Sequence, residues 1–381
     1  VAQREGVLEL ITLLHLSDLH LGWQPKFLGA KAAERAEERN QLLKKAVAVA
    51  LNPSHKVDVV IIAGDLFEHH SPDAPLVEAV LQQLSHLTQQ GKLLLTVPGN
   101  HDEISYRDSV YRLYADRWPG LLVTAPEPSH VGSRVIRGEA IHFYSVAYTG
   151  GITKCGAPLT NLPRLESAGF HVGVFHGSLD CPVTWRSLPL ASNSLAIAKY
   201  DYIALGHFHQ AKAARVGNGV AAYCGATMSK GFDDLGTGVV QLVELSAGRV
   251  ELRTVPILSR PQKVMEMPLD GLTEAEVDEY LATMKDEQAI VRLVLSGTAA
   301  PGVQSAKVAA LAQSLFYHCE VVDNSDEFSV SYLEEVGREM SVRGFFVKGL
   351  LTEAMGTPLV EEKELLFQAM RRGLRAFKGG H

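Results

Sequence analysis

The chain is poor in cysteine. Its 381 residues carry four, Cys155, Cys181, Cys224 and Cys319, with no CxxC pair among them. That excludes a disulfide framework and a thiolate zinc site, and it fits a reducing, cytoplasmic setting. Long apolar runs are missing too. None approaches the roughly 18 residues a membrane helix needs, so no membrane partner is expected. Val1 opens the chain without an initiating Met and without the basic-then-apolar pattern of a signal peptide, and is read as either a processed terminus or a remnant of expression. Repeats and low-complexity segments are also lacking. So is an excess of positive charge. The net charge of −7 speaks against a nucleic-acid binder until its distribution is considered. From Gln262 onward 12 basic residues face 19 acidic ones, which leaves 24 of each before it. A divalent cation held in the first part would tip that part positive, so charge does not exclude DNA.

What is present, 46% hydrophobic and 21% charged residues, is the balance of a folded globular protein and not of a disordered or collagenous one. The length suggests two domains of about 150 residues or more each. Apolar strands alternate with helical stretches at first. Leu8–Leu16, Val57–Ala63 and Leu93–Val97 read as strands, and Lys31–Leu51 and Ala74–Gln90 as helices. This βαβαβ rhythm predicts an α/β sheet with a parallel core. Shorter strands follow at 141–146, 172–175, 202–205, 220–223, 239–245 and 250–255. Their spacing looks antiparallel and suggests a second sheet packed on the first. Pro256 and Pro261 bracket a boundary, giving domains 1–260 and 261–381. Beyond it, 289–295, 304–316 and 320–322 read as strand, helix and strand. The tail 331–377 reads as helical, with an apolar stripe of Leu366, Met370, Leu374 and Phe377.

Five short polar motifs each follow a strand: Asp18-Leu19-His20, Gly64-Asp65, Gly99-Asn100-His101-Asp102, His176-Gly177 and Gly206-His207-Phe208-His209. Ligands gather at the carboxyl ends of strands in open α/β sheets, so these loops can meet in space. Singly each motif is weak, and a lone His at a strand end is more often structural. In order they supply carboxylate, imidazole and amide oxygen, a donor set suited to two divalent cations sharing one carboxylate.

The ordered series resembles the calcineurin-like metallophosphoesterase superfamily over roughly residues 10 to 257. Within it, the runs LSDLHLG, GDLFE and GHFHQ resemble the bacterial SbcD and YhaO-like DNA repair exonucleases. The Arg-Gly pair that marks the protein phosphatase branch is absent after Asp65, and Glu68 stands where some nuclease relatives carry a His, with His69 and His70 following. The resemblance implies a four-layer α/β/β/α sandwich with a smaller α+β C-terminal capping domain. It implies one ion held by Asp18, His20, Asp65 and His209, and a second by Asp65, Asn100, His176 and His207. It also implies a general acid or transition-state donor in His101. Manganese suits those donors best, with iron or zinc tolerated, and binding should weaken below about pH 6 because four donors are imidazoles. The implied function is a metal-dependent DNA exonuclease working with an SbcC-like coiled-coil ATPase, which the C-terminal 120 residues or so would dock. A homodimer is also compatible. The alternatives are a phosphoesterase for small phosphodiesters or nucleotides, and a scaffold that has lost its metals. Tyr106, Arg107 and Lys26 are candidate contacts to a nucleic-acid backbone. His15 is expected in the core, His55, His86 and His130 in solvent, and His171 outside the site. Asp102 is expected to cap a helix beginning near Ile104, and the basic run Arg371–Lys378 to complement a helix C-terminus.

Overall fold

The computed structural model describes residues 10–150, 158–181, 187–234, 237–299, 303–325 and 330–378. Cys155 lies outside them. The chain divides into two compact units, Val1–Ser259 and Arg260–His381. Among the described residues, no helix is long and apolar enough to cross a membrane.

The strands of the first unit are, in chain order, β1 (Ile11–Leu16), β2 (Val59–Ala63), β3 (Leu93–Val97), β4 (Leu121–Leu122), β5 (Ser129–Ile136), β6 (Glu139–Ser145), β7 (Phe170–Leu179), β8 (Leu188–Leu190), β9 (Tyr202–Gly206), β10 (Lys212–Val216), β11 (Gly219–Tyr223), β12 (Val239–Ser246) and β13 (Arg249–Pro256). The first sheet runs β13-β12-β1-β2-β3-β4. β1 to β4 are mutually parallel, and β12 lies antiparallel on β1. β2 is buried at every residue, as a strand covered on both faces must be. Leu16, Val60 and Ile62 gather with Leu43, Ala46 and Val47 of helix Leu42–Leu51 and with Leu84 and Leu87 of helix Ala74–Gln89. The same core takes Ile141, Phe143, Val172, Val174, Tyr202 and Ala204 from the second sheet. His15 sits in this core as expected, its Nδ1 2.7 Å from the Tyr202 hydroxyl.

The antiparallel expectation holds for 239–245 and 250–255, which pair as β12–β13 but in the first sheet, and the second sheet corrects it for the rest. That sheet runs β10-β11-β9-β7-β6-β5 with β8 beside β7, and β6, β7, β9 and β11 are all parallel. Only the pairs β5–β6 and β10–β11 are antiparallel. The reason is connection length: tight turns such as Arg137-Gly138, both at positive φ, close hairpins, whereas the longer crossovers bring strands back parallel. The single helix expected over 31–51 is two, Ala32–Asn40 and Leu42–Leu51. The Asn40 amide oxygen accepts from the Gly22 N–H at 2.9 Å, and the two halves bury different partners. The first half sinks Arg39, which donates to the carbonyls of Leu19, Met228 and Ser229. The second presents leucine and alanine to the core.

The second unit holds a parallel sheet of β14 (Gln262–Pro268), β15 (Asp286–Ser296) and β16 (Phe316–Asp323). Helix Glu274–Thr283, opened by a Thr273/Glu276 capping box, and helix Ser305–Leu315 accompany it. The tail forms helices Val330–Val336, Val342–Gly356 and Val360–Lys378. Leu374 and Met370 are buried in a small core with Val347 and Ala354.

Because β2 leads directly into Asp65, its packing sets the position of that carboxylate. Ile61→Ala is expected to destabilise the first unit by about 2–5 kcal/mol, read as a lowered urea midpoint at unchanged slope.

Candidate metal centre

Three of the five polar motifs leave their strands through unusual backbone. Asp18, His20 and Asp65 have φ of 54°, 50° and 51°, and His207 has φ 106°. Non-glycine residues rarely adopt such values, and clusters of them mark sites whose geometry the surrounding fold imposes. Here the imposing contacts are explicit. The Asp18 N–H donates to the Gly64 carbonyl at 3.1 Å, and the His20 N–H to the Asp65 carbonyl at 3.0 Å. Neighbouring glycines permit the approach. A Cβ on Gly99 would collide with the Asp65 carboxylate, and one on Gly64 with the His176 ring.

The side chains then converge. Asp65 Oδ2 lies 3.4 Å from His176 Nε2 and 3.8 Å from His20 Nε2. His20 Nε2 and His209 Nε2 are 3.1 Å apart, and His209 Nε2 is 3.8 Å from Asp18 Oδ1. Asn100 Oδ1 stands 2.9 Å from His176 Nε2 and 3.0 Å from His207 Nδ1. Donor atoms of Asp18, His20 and His209, of His20, Asp65 and His101, and of Asp18, Asp65 and His176 form three groups, each within 4.8 Å. Lone pairs of imidazoles, carboxylates and an amide oxygen aimed at one small volume fit one or two divalent cations and contain no soft donor.

Second partners hold the rings. His209 Nδ1 meets Asp234 Oδ2 at 2.7 Å, His20 Nδ1 meets Glu68 Oε2 at 2.9 Å, and His176 Nδ1 meets the Ala63 carbonyl at 2.9 Å. This is the carboxylate–imidazole–metal pattern that fixes tautomer and orientation. Lys230 ties two of these partners together, its Nζ donating to Glu68 at 2.7 and 2.9 Å and its N–H to Asp234 at 3.1 Å. Sequence reasoning missed Asp234, Lys230 and Arg39, because no local pattern announces a partner brought in from a helix or loop distant in sequence.

A calcineurin-like phosphoesterase family model matches residues 11–211. The chain belongs to that family. Three relatives refine the likeness, all distant. The SbcD subunit of the nuclease SbcCD from Escherichia coli (strain K12) is 24% identical, over 93% of this chain and 96% of its own. "Uncharacterized metallophosphoesterase YhaO" of Bacillus subtilis (strain 168) is 24% identical over 76% of this chain and 72% of its own. "DNA double-strand break repair protein Mre11" of Aeropyrum pernix is 27% identical over 68% and 64% respectively.

In this calcineurin-like phosphoesterase the remaining sequence candidates fall into place unevenly. His101 is at the edge of the centre, its N–H on Asp65 Oδ1 at 2.9 Å and its Nδ1 3.1 Å from the Glu68 carbonyl. Tyr106 and Arg107 are exposed on a loop, with Tyr106 stacked on His70 at 4.0 Å between centroids. Lys26 is exposed as well. His171 bonds to Tyr144 and the Ser167 carbonyl, away from the donors. Asp102 corrects the capping expectation. No helix begins near Ile104, and the buried Asp102 carboxylate instead accepts from the N–H groups of Gly99 (2.7 Å) and Phe67 (3.1 Å) and from the Tyr111 hydroxyl (2.7 Å). It thereby clamps the loops carrying Asp65 and Asn100. Burial, aided by the Asp65 charge, lifts its pKa to about 6.

The four imidazoles are not equivalent. Burial drops His20 to about 4 against the pull of Glu68, and burial with the neighbouring His176 drops His207 to about 4. These two are neutral at pH 7 and ready to ligate. Burial also opposes charge on His176, but Asp65 and Asp18 outweigh it and raise this ring to about 9. His209 is likewise raised, Asp234 outweighing burial. An ion must displace protons from these two, so affinity should rise with pH, by about tenfold per unit for each proton released, up to about 9 for His176. Manganese titration of the apoprotein by calorimetry from pH 6 to 9 checks this, and a flat profile contradicts it. Asp234→Asn should weaken metal binding by about 10- to 100-fold, read by equilibrium dialysis.

Proposed function

We propose that the chain is a two-metal phosphodiesterase that removes nucleotides from DNA ends in repair, with manganese as the favoured cation. The observation that carries the reading is the convergence of seven donor side chains, Asp65 among them, on one small volume. One ion is assigned to Asp18, His20, Asp65 and His209, the other to Asp65, Asn100, His176 and His207, with Asp65 bridging. Such a complete donor set argues against a scaffold that has lost its metals. The four-layer arrangement and a capping role for the second unit are part of the same reading. DNA as substrate is supported by the relatives named for nuclease and break-repair roles.

When bound, two cations would activate water and offset charge on the phosphoryl oxygens. The chain's own residues supply orientation and a proton. Because Nδ1 of His101 is spent on the Glu68 carbonyl, Nε2 is the atom left to carry a proton to the departing sugar oxygen. The His101 side chain is 35% exposed, so it stands at the mouth where substrate enters. His101→Gln should leave metal content and DNA affinity intact and slow DNA hydrolysis by about 10²–10⁴-fold. An activated aryl phosphodiester, whose leaving group needs no proton, should slow less. Equal slowing of both substrates would remove the general-acid role. Incubation with manganese and single- or double-stranded DNA, beside bis(p-nitrophenyl) phosphate and nucleotides, decides the substrate. Turnover of the small substrates alone would point to a small-phosphodiester enzyme.

We assign the C-terminal helices to docking a coiled-coil ATPase, a reading supported by the Escherichia coli relative, which is by name one part of a larger nuclease. The surface proposed for docking is what the stripe's own packing leaves exposed. Met370 and Leu374 are consumed in the unit's own core, while Met340, Val342, Phe345, Met355, Leu359 and Leu365 are exposed. Phe345→Asp should abolish co-purification with an SbcC-like ATPase and spare hydrolysis of the aryl diester. Retained association would place docking elsewhere.

A further inference from the structure

A cavity of about 880 Å³ opens beside the metal centre, and His207 and His209 form part of its wall. We infer that this cavity is a subsite for the nucleobase of the terminal nucleotide, an assignment that rests on the nuclease reading above. Its volume falls within the roughly 300–1,000 Å³ typical of small-ligand sites. Phe208, placed by the chain between the two imidazoles, meets Tyr223 edge-to-face at 5.0 Å between centroids, and Leu179 and Leu205 extend the apolar lining. The floor follows from strand register. Lys212 pairs with Tyr223 and Ala214 with Ala221, so these four side chains share one face of the β10–β11 ribbon. Two of them are alanines, which leaves room above the ribbon. Lys212 and Asp180 border the space with a cation and a carboxylate.

The shared wall dictates the occupant. A phosphoryl group held among the donors has its next substituent within reach of Phe208, because His207 and His209 belong to both spaces. In DNA that substituent is a sugar bearing a flat aromatic base with polar edges. A base stacks on aromatic rings regardless of its identity, and its edge can bond to side chains at the border. Reaching the cavity requires the base to leave the duplex stack, and that costs least at a strand end. The subsite therefore favours removal of terminal nucleotides over internal cleavage of intact duplex.

The test measures binding of deoxynucleoside 5′- and 3′-monophosphates and of deoxyribose 5-phosphate to the full chain with manganese, by calorimetry. One of the two nucleotide series should bind about 10- to 100-fold more tightly than the sugar phosphate, and the series that does so identifies the strand end recognised. Ala214→Trp, an exposed position on the floor, should erase that increment while leaving sugar phosphate affinity unchanged. A 2-aminopurine nucleotide should lose fluorescence on binding the wild-type protein, a readout that stands if the Trp variant fails to fold. Equal affinity for nucleotide and sugar phosphate, or an increment that survives in a folded Ala214→Trp variant, overturns the assignment. A base increment without DNA cleavage would keep the subsite and discard the nuclease reading. DNA cleavage without an increment would do the reverse.

Discussion

The centre depends on one buried carboxylate. Asp65 is almost wholly removed from solvent, and an isolated charge there would be strongly disfavoured. The histidines around it change the balance. Burial works against ionisation of Asp65, yet His176, His20 and His101 hold its pKa well below the usual range. The same exchange raises His176. Carboxylate and imidazole therefore stabilise each other's charged forms, and a cation that arrives replaces protons on a site already built for positive charge.

That arrangement needs rigid support. β2 is buried along its whole length and flanked by β1 and β3, so the loops at its end start from fixed points. The Asp102 clamp then joins the Gly99 and Phe67 backbones, and Arg39 gathers the carbonyls of Leu19, Met228 and Ser229. These contacts set buried side chains against backbone groups, with the Tyr111 hydroxyl also on Asp102. Each links a donor-bearing loop to a segment distant in sequence, which is why positive φ values at Asp18, His20, Asp65 and His207 can persist.

The same logic places the edge of the site. Glu68 occupies the position after the Asp-Leu-Phe run, and its carboxylate faces His20 and Lys230 while its carbonyl faces His101. One residue thus orients a donor ring and the candidate proton carrier together. His69 is exposed, and His70 packs on Tyr106 and lies 3.5 Å from Asp108.

Much of this was legible along the chain. β3 falls where the apolar run placed it, and Asp65, Asn100 and His207 were readable because each stands next to a glycine at a strand end, a local requirement of tight turns and close approach; His176 lies inside β7 and not after it. Strand direction in the second sheet was not legible, since β6, β7, β9 and β11 owe their parallel pairing to crossovers and not to their own residues. Nor were the partners Asp234 and Lys230, which lie outside the strands and helices, nor the role of Arg39, whose helix was readable but whose bonds to Leu19, Met228 and Ser229 were not. The stripe of Leu366, Met370, Leu374 and Phe377 announced an amphipathic helix, but only packing showed that Met370 and Leu374 are used internally while Phe345 is left exposed. The sequence by itself determined which atoms can ligate and which strands lead to them, because backbone conformation and donor chemistry are local. The tertiary structure decided how those atoms are oriented and charged, because the hydrogen bonds and burial responsible come from residues far apart in the chain.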